Sequence, residues 1–167
     1  TGIDLGTYAN HHDSAWLAFT KGLGCPVGAV LAGSRDFIEC AWHFKRMFGG
    51  AMRQTGVLTA MCLHALDHHV ERLAEDHARA KQIETRLKGC ELFCQVYPVE
   101  TNIVLAEIDP QFEISAPELR KFLASRNVQV MAVGTSKIRM ITHLDVDDLA
   151  VESLLNGIEE FLNSTSD

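Results

Sequence analysis

At 167 residues, 47% hydrophobic and 22% charged, the chain is long enough for an ordinary globular core and has neither a disordered nor a low-complexity composition. A net charge of −7, with eight histidines left neutral and no run of lysine or arginine, argues against a nucleic-acid partner, because a phosphate backbone would be repelled. No apolar stretch approaches the ~20 residues of a spanning helix and no basic-then-apolar signal opens the chain, so no membrane is expected and the compartment reads as cytoplasmic.

Residues 1–13 carry glycines, His11, His12 and Asp13 without a clear period and read as a loop or broken end. An apolar run, residues 15–19, then predicts a buried strand, and Thr20 to Gly28 a turn built on three glycines and Pro26. Lys21 stands at the strand end, where apolar neighbours are expected to desolvate its amine partly and make it a usable nucleophile. The blander reading is a surface lysine snorkelling off a turn. Val27 to Ala32 predicts a second strand, ended by Gly33. Both runs are too uniformly apolar to face water, which suggests a sheet covered on both sides and an α/β core.

Ser34 is placed to cap a helix with Phe37, Ile38, Ala41, Trp42 and Phe48 at helical spacing, stopped by Gly49-Gly50. Thr55 to about Leu66 is apolar nearly all round, the mark of a helix enclosed in a large core or between subunits. A homo-oligomer, dimer or tetramer, is the expectation. From Val70 to Leu87 the pattern turns amphipathic, with Glu75/Arg79 and Glu84/Lys88 at i,i+4 on the polar side. The domain boundary is set here, giving residues 1–69 and 70–167.

Beyond it, Leu92 to Tyr97 and Ile103 to Ile108 read as strands, and Asp109-Pro110 as a turn. Ser115-Ala116-Pro117-Glu118 is a capping box opening a helix with Leu119, Phe122 and Leu123 inward. Strands at 128–133 and 137–142 flank a Gly134-Thr135-Ser136 turn, and Asp145 or Asp147 caps a last helix bearing Leu154, Leu155, Ile158 and Phe161. Short strands alternating with helices make this a small α+β domain. The five cysteines, Cys25, Cys40, Cys62, Cys90 and Cys94, form no Cys-x-x-Cys pair and read as reduced. His64 and His68 lie four apart with His69 and His77 nearby, yet no zinc-protease motif surrounds them and no metal is expected.

Four segments, in order, carry a resemblance. Thr20-Lys21-Gly22-Leu23-Gly24-x-Pro26-Val27-Gly28, Gly49-Gly50-Ala51-Met52-Arg53-Gln54-Thr55-Gly56, Leu73-Ala74-Glu75-Asp76-His77, and Arg139-x-x-Thr142-His143-x-Asp145-Val146 resemble the low-specificity L-threonine aldolases. These are pyridoxal-phosphate enzymes of fold type I, in the β-eliminating lyase group. The resemblance implies an α/β fold: the end of a fold-type I transferase-like large domain, with its interface helix, over residues 1–69, then a small C-terminal α+β domain. It implies that Lys21 is the Schiff-base lysine, that Arg53 reaches the cofactor phosphate, that of the neighbouring subunit, and that Arg139 fixes the α-carboxylate of an amino-acid substrate. Without it, a structural salt bridge is the simpler reading of Arg139, since a guanidinium in a short apolar strand should have an anionic partner.

The reaction implied is cleavage of the Cα–Cβ bond of threonine or allo-threonine to glycine and an aldehyde. Thr20 and Cys25 stand where many relatives have Ser and Ala. The family's ring-pairing aspartate and ring-stacking histidine lie further upstream of the lysine than this chain extends, and Asp4 is too close to Lys21 to take that part. A separate N-terminal half is therefore an expected partner. Two readings compete: another pyridoxal-phosphate β-eliminating lyase, and a non-catalytic fragment acting as a binding module through its apolar helix.

Overall fold

The computed structural model describes residues 2–165 and divides the chain into two units, residues 1–70 and 71–167. The first unit opens with a short helix, α1 (Leu5–Ala9), where the sequence suggested only a loop. Asp4 supplies the missed signal, since its carboxylate accepts a hydrogen bond from Thr7 N and caps the turn. Strands β1 (Ser14–Ala18) and β2 (Ala29–Gly33) pair antiparallel with Trp16 opposite Leu31 and Leu17 opposite Val30.

This hairpin departs from the expected covered sheet. Trp16, Leu17, Val30 and Leu31 are all exposed, because among the described residues no layer of the unit covers both faces. Helix α2 (Arg35–Met47) follows, capped by Ser34 through Phe37 N and ended at Gly49-Gly50 as the sequence indicates. Helix α3 (Gly56–His68) is apolar as read, yet only Ala65 is buried and Val57, Met61, Leu63 and Leu66 are exposed. It is not enclosed by this unit.

The second unit is built the other way. Helix α4 (Leu73–Lys88) precedes β3 (Phe93–Val96) and β4 (Ile103–Ile108). After a 3-10 turn at Pro110–Phe112 come α5 (Ala116–Ala124), β5 (Met131–Val133), β6 (Lys137–Ile141) and α6 (Asp148–Thr165). The four strands form one antiparallel sheet in the order β3-β4-β6-β5. Period-two alternation sends Val104, Ala106, Ile108, Ile138 and Met140 to one face, where Ile83 and Leu87 of α4, Leu119 and Leu123 of α5, and Leu155 and Ile158 of α6 meet them. Each such side chain contributes roughly 1.5–3 kcal/mol on burial.

The capping box at Ser115 forms as read: Ser115 N donates to Glu118 Oε2 at 2.7 Å and Glu118 N to Ser115 Oγ at 3.4 Å. Asp147, not Asp145, caps α6 by accepting from Ala150 N at 2.8 Å. β5 is shorter than the expected 128–133. The β5–β6 ladder begins at Met131 opposite Arg139, and a cavity of about 410 Å³ is lined by Val128, Gln129 and Val130 before it.

Candidate active site

Lys21 sits beyond the end of β1 in a turn that the sequence pins at both ends. Phe19 N donates to Gly28 O at 3.0 Å, Cys25 N to Phe19 O at 2.9 Å and Gly24 N to Lys21 O at 2.8 Å. Phe19, Leu23 and Cys25 point inward and are buried, so the apolar residues of the turn anchor it. Gly24 (φ +71°) and Gly28 (φ +132°) take left-handed backbone that a side chain would strain. From α3's C-terminal end, the half-buried His69 donates Nδ1–H to the Leu23 carbonyl at 2.7 Å, fixing its tautomer. The expected desolvation of Lys21 is not provided: the side chain is exposed, because the inward-turned Leu23 and the flanking glycines leave nothing to cover it. Among the described residues no carboxylate or hydrogen-bond acceptor engages its amine.

Arg53 lies in the loop before α3 and is likewise exposed and without an ion pair among the described residues. Gln54 beside it has φ +54°, a left-handed conformation in a residue that is not glycine, and Thr55 makes no side-chain cap. Thr59 N is the first α3 amide to find a backbone acceptor, Thr55 O at 2.9 Å, so the amides of Gly56, Val57 and Leu58 stay open. A guanidinium and three unpaired amides at the positive end of a helix dipole form an arrangement suited to an anion of phosphate type. No hydrogen bond joins Arg53 to Lys21.

Arg139 belongs to the second unit. It is half-buried in the middle of β6, on the face away from the helices, directly opposite Leu105 of β4 and Met131 of β5. The anionic protein partner expected for it is absent among the described residues. This sets it apart from Arg72, Arg79, Arg86 and Arg126, each paired with a carboxylate. Two residues along the same face, Lys137 takes the nearby carboxylate for itself, lying 3.5 Å from Glu107 and 2.8 Å from Tyr97 Oη. Tyr97 and Ser136 also donate to Glu107, and with Lys137 they hold its carboxyl below the usual range against the opposing effect of burial. Glu107 is thus committed, and Arg139 retains an open guanidinium.

The structure gives contacts to motif residues that the sequence left without a role. Thr142 is buried after β6; its hydroxyl donates to the Asp76 carbonyl at 2.7 Å and its own carbonyl accepts from Asn102 Nδ2 at 2.7 Å. Asp76 is fully buried and receives both Arg72 nitrogens, at 3.1 and 2.7 Å. These bonds moor the strand that carries Arg139. An i,i+4 Arg72/Asp76 spacing was the available signal. His143, by contrast, is exposed; its Nδ1 accepts from Asp145 N at 3.3 Å and lies 3.8 Å from Asp145 Oδ2, contacts within one turn.

Three comparisons bear on this arrangement. A family model described as beta-eliminating lyase matches residues 1–111. The chain is 35% identical over 164 residues to a protein of Arabidopsis thaliana named probable low-specificity L-threonine aldolase 2, covering 98% of this chain and 46% of the relative. It is 37% identical over 145 residues to the low specificity L-threonine aldolase of Escherichia coli K12, covering 87% and 41%. Among solved structures, a candidate L-allo-threonine aldolase of Listeria monocytogenes EGD-E superposes with a TM-score of 0.70 at 19% identity, over 92% of this chain and 46% of that one. The chain thus spans less than half the length of the relatives it matches. The structural likeness supports the same fold, mixed α/β with part of a fold-type I large domain.

Proposed function

The chain belongs to the beta-eliminating lyase family, and from that premise we propose that it contributes to a pyridoxal-phosphate-dependent aldolase splitting β-hydroxy-α-amino acids of the threonine type into glycine and an aldehyde. Pyridoxal phosphate, when bound, supplies the sink for the electrons left on Cα as the Cα–Cβ bond breaks. The chain's own residues do the holding. Lys21 presents a primary amine for covalent attachment, Arg53 with the open α3 amides receives the phosphate, and Arg139 receives a substrate carboxylate in a planar, two-point grip.

The observation that carries this reading is the Lys21 turn. Three backbone hydrogen bonds and three buried side chains hold one amine out, uncommitted to any carboxylate. A purely structural lysine has no need of so constrained a setting. The open guanidinium of Arg139 supports the choice of an amino acid as substrate, since an anionic group is what its half-buried site lacks. The exposed apolar side of α3, with Val57, Met61 and Leu63, supports assembly as a homo-oligomer. No helix among the described residues is long and apolar enough to cross a membrane. Five free cysteines fit a reducing compartment, which supports a cytoplasmic location.

The test is reduction with borohydride after addition of pyridoxal phosphate, followed by peptide mapping. A single adduct on Lys21 is the expected result. Labelling spread over exposed lysines such as Lys45 and Lys81, or none, would show that this chain does not form the lysine site unaided and would favour the reading of it as a binding module.

A further inference from the structure

Cys25 and Cys62 are both free thiols, one buried in the Lys21 turn and the other half-buried midway along α3. Each touches the other's segment. The Cys25 thiol donates to the carbonyl of Met61, the residue before Cys62, at 3.5 Å, while the Cys62 thiol donates to the carbonyl of Val27, two residues after Cys25, at 3.9 Å. The crossing sets each thiol against the backbone beside the other cysteine. The turn's backbone is pressed onto the same sulfur: a Cβ added at Gly28 would lie 3.0 Å from Cys62 Sγ. Among the described residues, Cys40, Cys90 and Cys94 show no such thiol neighbour; Cys94, for example, donates to the carbonyls of Glu107 and Ile108.

We propose that Cys25 and Cys62 are a redox-responsive dithiol, closed by a low-molecular-weight disulfide such as oxidised glutathione into an intrachain bond that ties the Lys21 turn to α3. The Cys62 thiolate, the more accessible of the two, attacks one sulfur of the small disulfide and releases one thiol. Cys25 then gives its proton to solvent and attacks Cys62 Sγ, expelling the second thiol. Two cysteines are oxidised and one external disulfide is reduced to two thiols. Burial, reinforced by Cys62, pushes the Cys25 thiol up, so its step is the slower one and quickens as pH rises.

The bond itself stands apart from the proposed function; its effect on Lys21 rests on that reading. The full chain is exposed to oxidised glutathione at mildly alkaline pH, denatured, alkylated, digested and mapped by mass. The expected product is the Cys25 peptide joined to the Cys62 peptide, lighter by two hydrogens than the free pair and released by a reductant. Its formation slows at lower pH, and Cys25→Ala halts the reaction at a glutathione adduct on Cys62. Cys25 alkylated throughout, or linked to Cys40, Cys90 or Cys94 instead, overturns the proposal. Reductive labelling of Lys21 by pyridoxal phosphate is then compared in the linked and reduced chains, with a several-fold fall expected on linkage. Equal labelling of both overturns the control of Lys21, whereas no labelling in either overturns the functional reading and leaves the mapped bond standing.

Discussion

The two units of this chain solve the problem of apolar surface in opposite ways. Among the described residues, the second unit buries nineteen apolar side chains in one cluster between a four-stranded sheet and three helices. The described residues of the first unit bury four, Phe19, Leu23, Cys25 and Ala65, and leave Trp16, Phe37, Trp42, Phe44 and Phe48 exposed. Every ion pair among the described residues also lies in the second unit. A surface so apolar and so poor in paired charge is the composition of an interior face, and the second unit is that of a closed domain. The contrast teaches that apolar sequence marks what must be covered without saying by what.

The sharpest way to break this comparison is to separate the units. Residues 71–167 alone are expected to unfold cooperatively in urea with native-like circular dichroism, whereas residues 1–70 alone should show no cooperative transition and should bind a hydrophobic dye. A cooperative transition in the shorter piece would show that its few buried side chains suffice. Next in size is the buried pair that moors α4. Asp76→Ala removes a carboxylate with no exposed side-chain surface and strands Arg72, for an expected loss of about 3–5 kcal/mol by denaturant titration. A loss under about 1 kcal/mol would make the pair no better than a surface one.

Legibility in the sequence follows the same division. In the second unit local signals and tertiary packing agree: Ser115 and Glu118 cap as read, Leu119 and Leu123 point inward, and Ile103–Ile108 alternates between faces. In the first unit the hairpin runs gave strands correctly, yet the inference that both faces are covered failed, because periodicity reports which face is apolar and not what packs on it. The candidate site was proposed where motif and chemistry coincide, at Lys21, Arg53 and Arg139. It was illegible where function depends on exposure and pairing. No sequence pattern says that Lys21 stays uncovered, that Glu107 is occupied by Lys137, Tyr97 and Ser136, or that Cys62 of α3 meets a turn thirty-seven positions earlier.

A pH titration sharpens the comparison within the second unit. Glu84 is buried in α4 and accepts from Lys81 and Lys88, each at 2.9 Å, and from Val99 N at 3.3 Å. The two lysines, then the backbone amide, outweigh burial and hold its carboxyl at about 2 instead of the ordinary 4.5. Because the folded value lies below the unfolded one, the stabilisation is complete above pH 4.5 and drains away as pH falls through 2. Urea midpoints of the wild type should therefore decline across that window, and Glu84→Gln should start lower and flatten the decline. An identical slope in the variant would assign the acid sensitivity to other carboxylates.

The smallest stability effect is expected at Arg139, and its smallness is the argument. Arg72 and Arg139 are both largely shielded guanidiniums in the same unit; one grips a buried carboxylate with two hydrogen bonds, and the other has no partner among the described residues. If Arg139 is kept for a substrate carboxylate, Arg139→Gln should leave the urea midpoint within about 0.5 kcal/mol of the wild type. Binding of glycine or threonine by cofactor-loaded protein should weaken about tenfold to hundredfold, as expected for losing hydrogen bonds to a charged group. Arg139→Lys should recover only part of that loss, because an ammonium keeps the charge but not the planar fork. A fall in stability comparable to that of Asp76→Ala would instead make Arg139 a structural cation, and the carboxylate of any amino-acid substrate would need another anchor.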